Sequence, residues 1–139
     1  MDIKMNVAEL NIFAQEVFPQ VSDQLHVEEI TDQGCIIRWK VDASNIRPGG
    51  TISGPTMFSA ADVAAYLATL SRIGPEALAV TTNCSIDFMR KPAAGVDIIA
   101  DCRLLKLGRV LSVSDVLIYS EGEPKPVARA SLTYSIPPK

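Results

Sequence analysis

The sequence predicts an α+β fold in which a curved antiparallel sheet of five or six strands wraps one long central helix, with an extra helix at the N-terminal end. Three observations carry this expectation. Residues 55–72 read as a helix that is apolar over most of its surface and must therefore be enclosed. Four strand-type segments follow it, the last three separated by short turns as in an antiparallel meander. A strand-rich stretch also precedes the helix, and a sheet bent around it is the available wrapper.

Taken in order, residues 5–18 place Val7, Leu10, Phe13, Ala14 and Val17 near helical spacing, and Pro19 follows where a helix would stop. Residues 25–41 change period. "LHVEEI" alternates in part, Thr31 to Gly34 reads as a turn, and "CIIRWKV" is rich in β-branched and aromatic residues, so a hairpin is expected. "DASNIRPGG" is a loop, with Asn45, Pro48, Gly49 and Gly50 all favouring turns. The central helix begins at "SGP", with Ser53 and Gly54 around the N-cap and Pro55 at the first helical position, and it ends at Gly74 and Pro75. Strands are expected over 79–89, 96–105, 110–119 and 126–136, separated by "RKPAAG", "KLGR" and "SEGEPK". No linker, repeat or low-complexity tract divides residues 1–139, which are read as one domain.

Composition narrows the function. A chain of 139 residues with 47% hydrophobic and 21% charged residues is that of a globular protein with room for a core. The longest apolar run, 60–70, contains Asp62 and Thr69 and is too short to cross a bilayer. Asp2, Lys4 and Asn6 do not form the start of a signal peptide. A net charge of −3, with no basic run, argues against nucleic acid and anionic membrane as partners. Cys35, Cys84 and Cys102 lie far apart in strand-like segments, with only His26 to join them as a metal ligand. They are read as buried thiols in a reducing, cytoplasmic setting, and no metal site is expected.

The chemistry concentrates on the central helix. Ser59, Asp62, Tyr66 and Thr69 share one helical face, and Met57, Ala60, Ala61, Ala64, Leu67 and Ala68 form the opposite one. The polar stripe is expected to line a cleft or a subunit interface. Burying an unpaired carboxylate costs several kcal/mol, so Asp62 among so many alanines calls for a use, although a solvent-facing Asp62 or one bonded to Ser59 or Tyr66 would also satisfy the pattern. At the helix start the amides of Gly54, Thr56 and Met57 are expected to point outward, where they can polarise a carbonyl. Gly54 and Asp62 are separated by about 10 to 12 Å of helical rise, too far to meet one atom from a single helix. Paired helices at a two-fold interface would bring Asp62 of one subunit to Gly54 of another.

"SGPTMFSAADVAAY", "VTTNCSIDFMRKP", "LGRVLSVSDVLI" and "PVARASLTYSI" resemble the hotdog-fold acyl-CoA thioesterases of the phenylacetate-degradation type, over residues 25–136. Where that family usually carries His-Gly-Gly with an Asp nine positions after the His, this chain has Ser53, Gly54, Pro55 and Asp62. The resemblance implies a hydrolase that cleaves an acyl thioester with no metal or organic cofactor, coenzyme A entering as part of the substrate. It implies Asp62 as base or nucleophile, Gly54 as the amide that polarises the carbonyl, and Thr81 as a hydroxyl that helps hold the attacking water. It also implies a homodimer, assembled further to a homotetramer, with active sites at the dimer interface.

The departures are Ser53 for His, Pro55 for the second Gly, and Arg47 for the Asn six residues before that His, with Asn45 able to serve only if the loop shifts. They leave room for an acyl-CoA-binding protein without turnover. A hotdog dehydratase fits less well, because that chemistry pairs a His with a carboxylate and His26 falls in the first strand. Met57, Phe58, Tyr66 and Phe88 are candidates for an apolar acyl pocket. Arg90, Lys91, Lys106 and Arg109, at the ends of neighbouring strands, are candidates for gripping coenzyme A phosphates or a solvated basic rim.

Overall fold

Asn6 opens the first helix, α1 (Val7–Val17), through a reciprocal cap: its side chain accepts from the Glu9 amide, and the Glu9 carboxylate accepts from the Asn6 amide. Residues 2–138 are described by this computed structural model. A hairpin of β1 (Leu25–Ile30) and β2 (Gly34–Trp39) leads to the long helix α2 (Gly54–Ile73). The strands β3 (Val80–Phe88), β4 (Ile98–Leu107), β5 (Leu111–Ser120) and β6 (Ala128–Ser135) complete the fold. The six strands form one sheet in the order β1-β2-β4-β5-β6-β3, every pairing antiparallel. The last three strands are the expected meander, while β3 crosses over to pair with β6 at the far edge.

The sheet wraps α2, which is the hotdog arrangement. Alternate residues of β2, β4, β5 and β6, among them Ile37, Ile98, Val116 and Leu132, are buried against Ala60, Ala64, Leu67 and Leu70 of the helix. Each large aliphatic side chain so enclosed contributes about 1.5 to 3 kcal/mol. The alanines let the strands approach the helix closely. No helix among the described residues is long and apolar enough to cross a membrane.

One edge of the sheet is covered. Asn11 of α1 donates to the Val27 carbonyl and accepts from the Val27 amide, standing in for the neighbouring strand that β1 lacks. At the other end of the hairpin, Arg72 is buried and donates Nη1 to the Gly34 carbonyl (2.8 Å) and Ser71 Oγ (2.7 Å), and Nη2 to the Thr31 carbonyl (2.6 Å). It fastens the β1–β2 turn to the last turn of α2. Arg72→Ala is expected to lower stability by about 2 kcal/mol, because it strands buried carbonyl acceptors, and urea unfolding measures it.

Two features depart from the sequence-based expectation. Gly34 is the first residue of β2, not part of the turn alone, since its pairing with Arg103 of β4 carries it into the sheet. Thr69, expected on a polar stripe lining a cleft or a subunit interface, is fully buried, with its hydroxyl bonded to the Ala65 carbonyl (2.8 Å) and Ser112 Oγ (2.7 Å). The sheet curls far enough around α2 to enclose the C-terminal half of that stripe.

Candidate active site

Asp62 is half-buried on α2, where the helix faces β3 and β6. Thr81 of β3 and Tyr134 of β6 are cross-strand partners, so their side chains lie on the same face of the sheet, toward this position. Thr81 Oγ1 donates to Asp62 Oδ1 at 2.6 Å, and the Tyr134 hydroxyl reaches the same oxygen at 2.8 Å and the Asp62 carbonyl at 3.0 Å. Asp62 Oδ2 accepts no bond among the described residues. Neither Ser59 nor Tyr66 bonds this carboxylate; the Tyr66 hydroxyl donates to the Ala77 carbonyl instead (3.2 Å).

The carboxylate opens on a cavity of about 420 Å³ lined largely by Val17, Phe18, Val63, Tyr66, Ala79 and Val80. Phe18 packs edge-on to Tyr66, with ring centroids 5.5 Å apart, and Tyr66 lies 5.9 Å from Tyr134. The end of α1 thus walls a site whose chemistry sits on α2. Burial first, and the Asp62 charge second, push the Tyr134 hydroxyl well above the ordinary tyrosine range, so it remains a donor. Burial, with Asp62 again second, also raises the Cys84 thiol.

The helix start is a separate feature. Ser53 is the N-cap: its Oγ accepts from the Thr56 amide (3.2 Å), while its carbonyl accepts from the Met57 amide (3.3 Å). The expectation of three outward amides is corrected accordingly, since the cap consumes two of them. The Gly54 amide, with Pro55 following, has no partner among the described residues. A Cβ on Gly54 would come within 3.2 Å of the Phe88 ring, which stands beside this amide. Asn45 is buried behind the loop, accepting from Gln24 and the Asp42 amide and donating to Thr56 Oγ1 (3.2 Å), so it braces the helix start. Arg47 is exposed in a turn closed by its own backbone bonds to Thr51 and Gly50.

Of the candidate acyl-pocket residues only Tyr66 lines the Asp62 cavity. Met57 is buried in the core, because its position on α2 faces the sheet. Phe58 (39% exposed) and Phe88 (52%) lie outward toward the helix start. The basic candidates do not form one cluster. Arg90 and Lys91 follow β3 and share a groove of about 410 Å³ with Lys125 and Glu123, whereas Lys106 stands near the end of β4 and Arg109 in the turn between β4 and β5. Antiparallel pairing sets Phe88 against Ala128 and Ile118, and Val80 against Ser135 and Leu111, so the two sets occupy opposite ends of the sheet. Sequence reasoning missed Tyr134. Its only signal is alternation, which puts Leu132, Tyr134 and Ile136 on the inner face, where a phenol needs a partner.

A six-stranded antiparallel sheet wrapped around one central helix is a hotdog fold, and here that helix turns a half-buried carboxylate toward an apolar cavity. A sequence profile of the thioesterase superfamily matches residues 49–127, more than half of the chain, and the chain belongs to that family of thioester hydrolases. It is similar to the crystal structure of a candidate thioesterase from Silicibacter sp. TM1040, at 48% identity over 99% of this chain and 96% of that one, with a TM-score of 0.93. The phenylacetic acid degradation protein PaaI from Thermus thermophilus, in a mutant form, is 28% identical, covers 86% of this chain and 99% of its own, and superposes with a TM-score of 0.73. A Streptococcus mutans UA159 protein bound to acetyl CoA shares the fold at 23% identity, 83% and 90% coverage, and a TM-score of 0.72. Comparison with curated proteins finds no match.

Proposed function

We propose that the protein hydrolyses an acyl-CoA to the free carboxylate and coenzyme A, with Asp62 as the catalytic carboxylate and the Gly54 amide polarising the thioester carbonyl. The observation that carries this reading is the carboxylate itself, held on one oxygen and open on the other at the mouth of an apolar cavity. As general base, Asp62 takes a proton from water, the water oxygen bonds to the thioester carbon, and the Gly54 N–H stabilises the charge gathering on the carbonyl oxygen. The C–S bond then breaks, and the departing thiolate takes the proton back. Acting as nucleophile, Asp62 would instead bond to the thioester carbon and expel the coenzyme A thiolate, and water would then open the acyl anhydride to the free carboxylate and Asp62. Thr81 spends its proton on Asp62, which leaves its oxygen lone pairs free to orient that water. The route needs neither metal nor organic cofactor.

Coenzyme A as the thiol portion is supported by the acetyl CoA found in the S. mutans neighbour and by the basic groove. Phe88 stands against Gly54 and Arg90 follows two residues later, so a ligand whose carbonyl rests on the Gly54 amide can run past Phe88 to Arg90, Lys91 and Lys125. Three free thiols suit a reducing cytoplasm.

The working unit is a homodimer, with dimers paired as a tetramer. Gly54 and Asp62 are separated by roughly 12 Å along α2, so a complete site takes the amide from one subunit and the carboxylate from the other. The edge strand β3, paired only with β6 and exposing Val80 (55%) and Phe88 (52%), offers a surface for that contact. Sedimentation should give two or four times the 15.0 kDa chain mass; a monomer at assay concentration sinks the shared-site arrangement.

The test of the activity follows thiol release from short, medium, long and aryl acyl-CoA thioesters. Turnover of at least one supports the hydrolase. An inert protein whose melting temperature rises with coenzyme A esters is instead an acyl-CoA-binding hotdog protein, the second reading that the loss of the family's usual His at Ser53 favours.

A further inference from the structure

Two hydroxyl donors, from two different strands, end on the same oxygen of the same carboxylate. Tyr134 is 5% exposed, its ring packs on Tyr66, and its hydroxyl emerges from the core only at Asp62, where it contacts both Oδ1 and the backbone carbonyl. Thr81 approaches Oδ1 from the adjoining strand. A carboxylate on a helix normally rotates about χ2, exchanging its two oxygens. Here rotation breaks two short bonds at once.

We propose that Tyr134 is a positioning residue that, together with Thr81, locks Asp62 Oδ1 and so makes Oδ2 the oxygen presented to water or thioester. This inference rests on the hydrolase reading above and gives a residue of β6 a role exercised through Asp62. The bond to the Asp62 carbonyl ties the helix backbone at this residue to the same hydroxyl, so ring, backbone and carboxylate form one rigid unit. Orientation of a reacting group acts on the chemical step and leaves substrate affinity alone. Because the tyrosine hydroxyl stays protonated, it serves as a fixed donor and not as an acid or base in the cycle.

Steady-state kinetics on the intact protein test this with Tyr134→Phe, Thr81→Val, Asp62→Asn and the combinations. Tyr134→Phe keeps the ring and removes the donor. It is expected to lower kcat about tenfold with KM within about twofold, and to have no further effect in the Asp62→Asn background, since a positioning residue has nothing left to position. A tenfold loss that persists in the Asp62→Asn background marks a general structural defect and overturns the proposal, as does a Tyr134→Phe enzyme with full kcat. Should Tyr134→Phe fail to fold, Thr81→Val carries the test alone: a kcat loss that vanishes in the Asp62→Asn background supports the lock, and full kcat overturns it. A wild type inert on every thioester defeats the hydrolase reading and this inference together, an outcome distinct from an active enzyme indifferent to Tyr134.

Discussion

Asp62→Asn is expected to reduce thioester hydrolysis about a hundredfold or more while leaving the fold intact, a loss of roughly 2.7 kcal/mol in transition-state stabilisation. Asparagine keeps the size and planarity of the side chain. Its Oδ1 can still accept from Thr81 and Tyr134, so the packing around 62 and the melting temperature should change little. What it lacks is the second oxygen: an amide NH2 now faces the cavity, and it can neither take a proton from water nor attack a carbonyl carbon. Thiol release measured at saturating acyl-CoA decides the matter. A variant that retains more than about a tenth of the wild-type rate means that the carboxylate is structural, held by its two hydroxyls for stability alone.

The largest effect on stability is expected from Gly34→Ala. A Cβ built at Gly34 falls 2.0 Å from the Cys102 carbonyl oxygen and 3.3 Å from the Arg103 Cα, all backbone atoms of β4. A flexible side chain could swing away; a paired strand cannot. The residue's own bonds are also committed, with its amide to Thr31 Oγ1 (2.9 Å) and its carbonyl to the Thr31 amide (3.0 Å) and Arg72. Relief therefore means separating β2 from β4 or giving up the turn and the Arg72 anchor. The expected cost is roughly 3 to 4 kcal/mol, at the upper end for overpacking, with a melting temperature lower by on the order of 10 °C. A Gly34→Ala protein that melts within about 2 °C of wild type would mean that β2 and β4 are not this close in solution.

Both positions show where sequence reasoning reaches its limit. The helix spacing that singles out Asp62, and the proline and glycine signals that bound α2, act within a turn or two of chain and were legible. That local pattern left a solvent-facing Asp62 open, and the fold decides for a half-buried one. Nor does its bonding follow from the pattern: the two hydroxyls that end on the carboxylate, those of Thr81 and Tyr134, lie 19 and 72 residues away in the chain. Likewise Cys35 and Cys102, distant in sequence, are cross-strand neighbours with thiols pushed up chiefly by burial, and the basic residues that looked adjacent stand at opposite ends of the sheet.

By itself the sequence determined the fold class, the order and approximate limits of the elements, and the placing of one carboxylate on an otherwise apolar helix, because hydrophobic period, caps and breakers are local. Only the tertiary structure decided which groups meet. Crossing β3 over to β6 brings Thr81 opposite Tyr134 and both onto Asp62, the curl of the sheet buries Thr69, and the closeness of β2 to β4 reserves position 34 for glycine. Strand order and register are settled by the packing of all six strands around α2 at once, and no single segment carries that information.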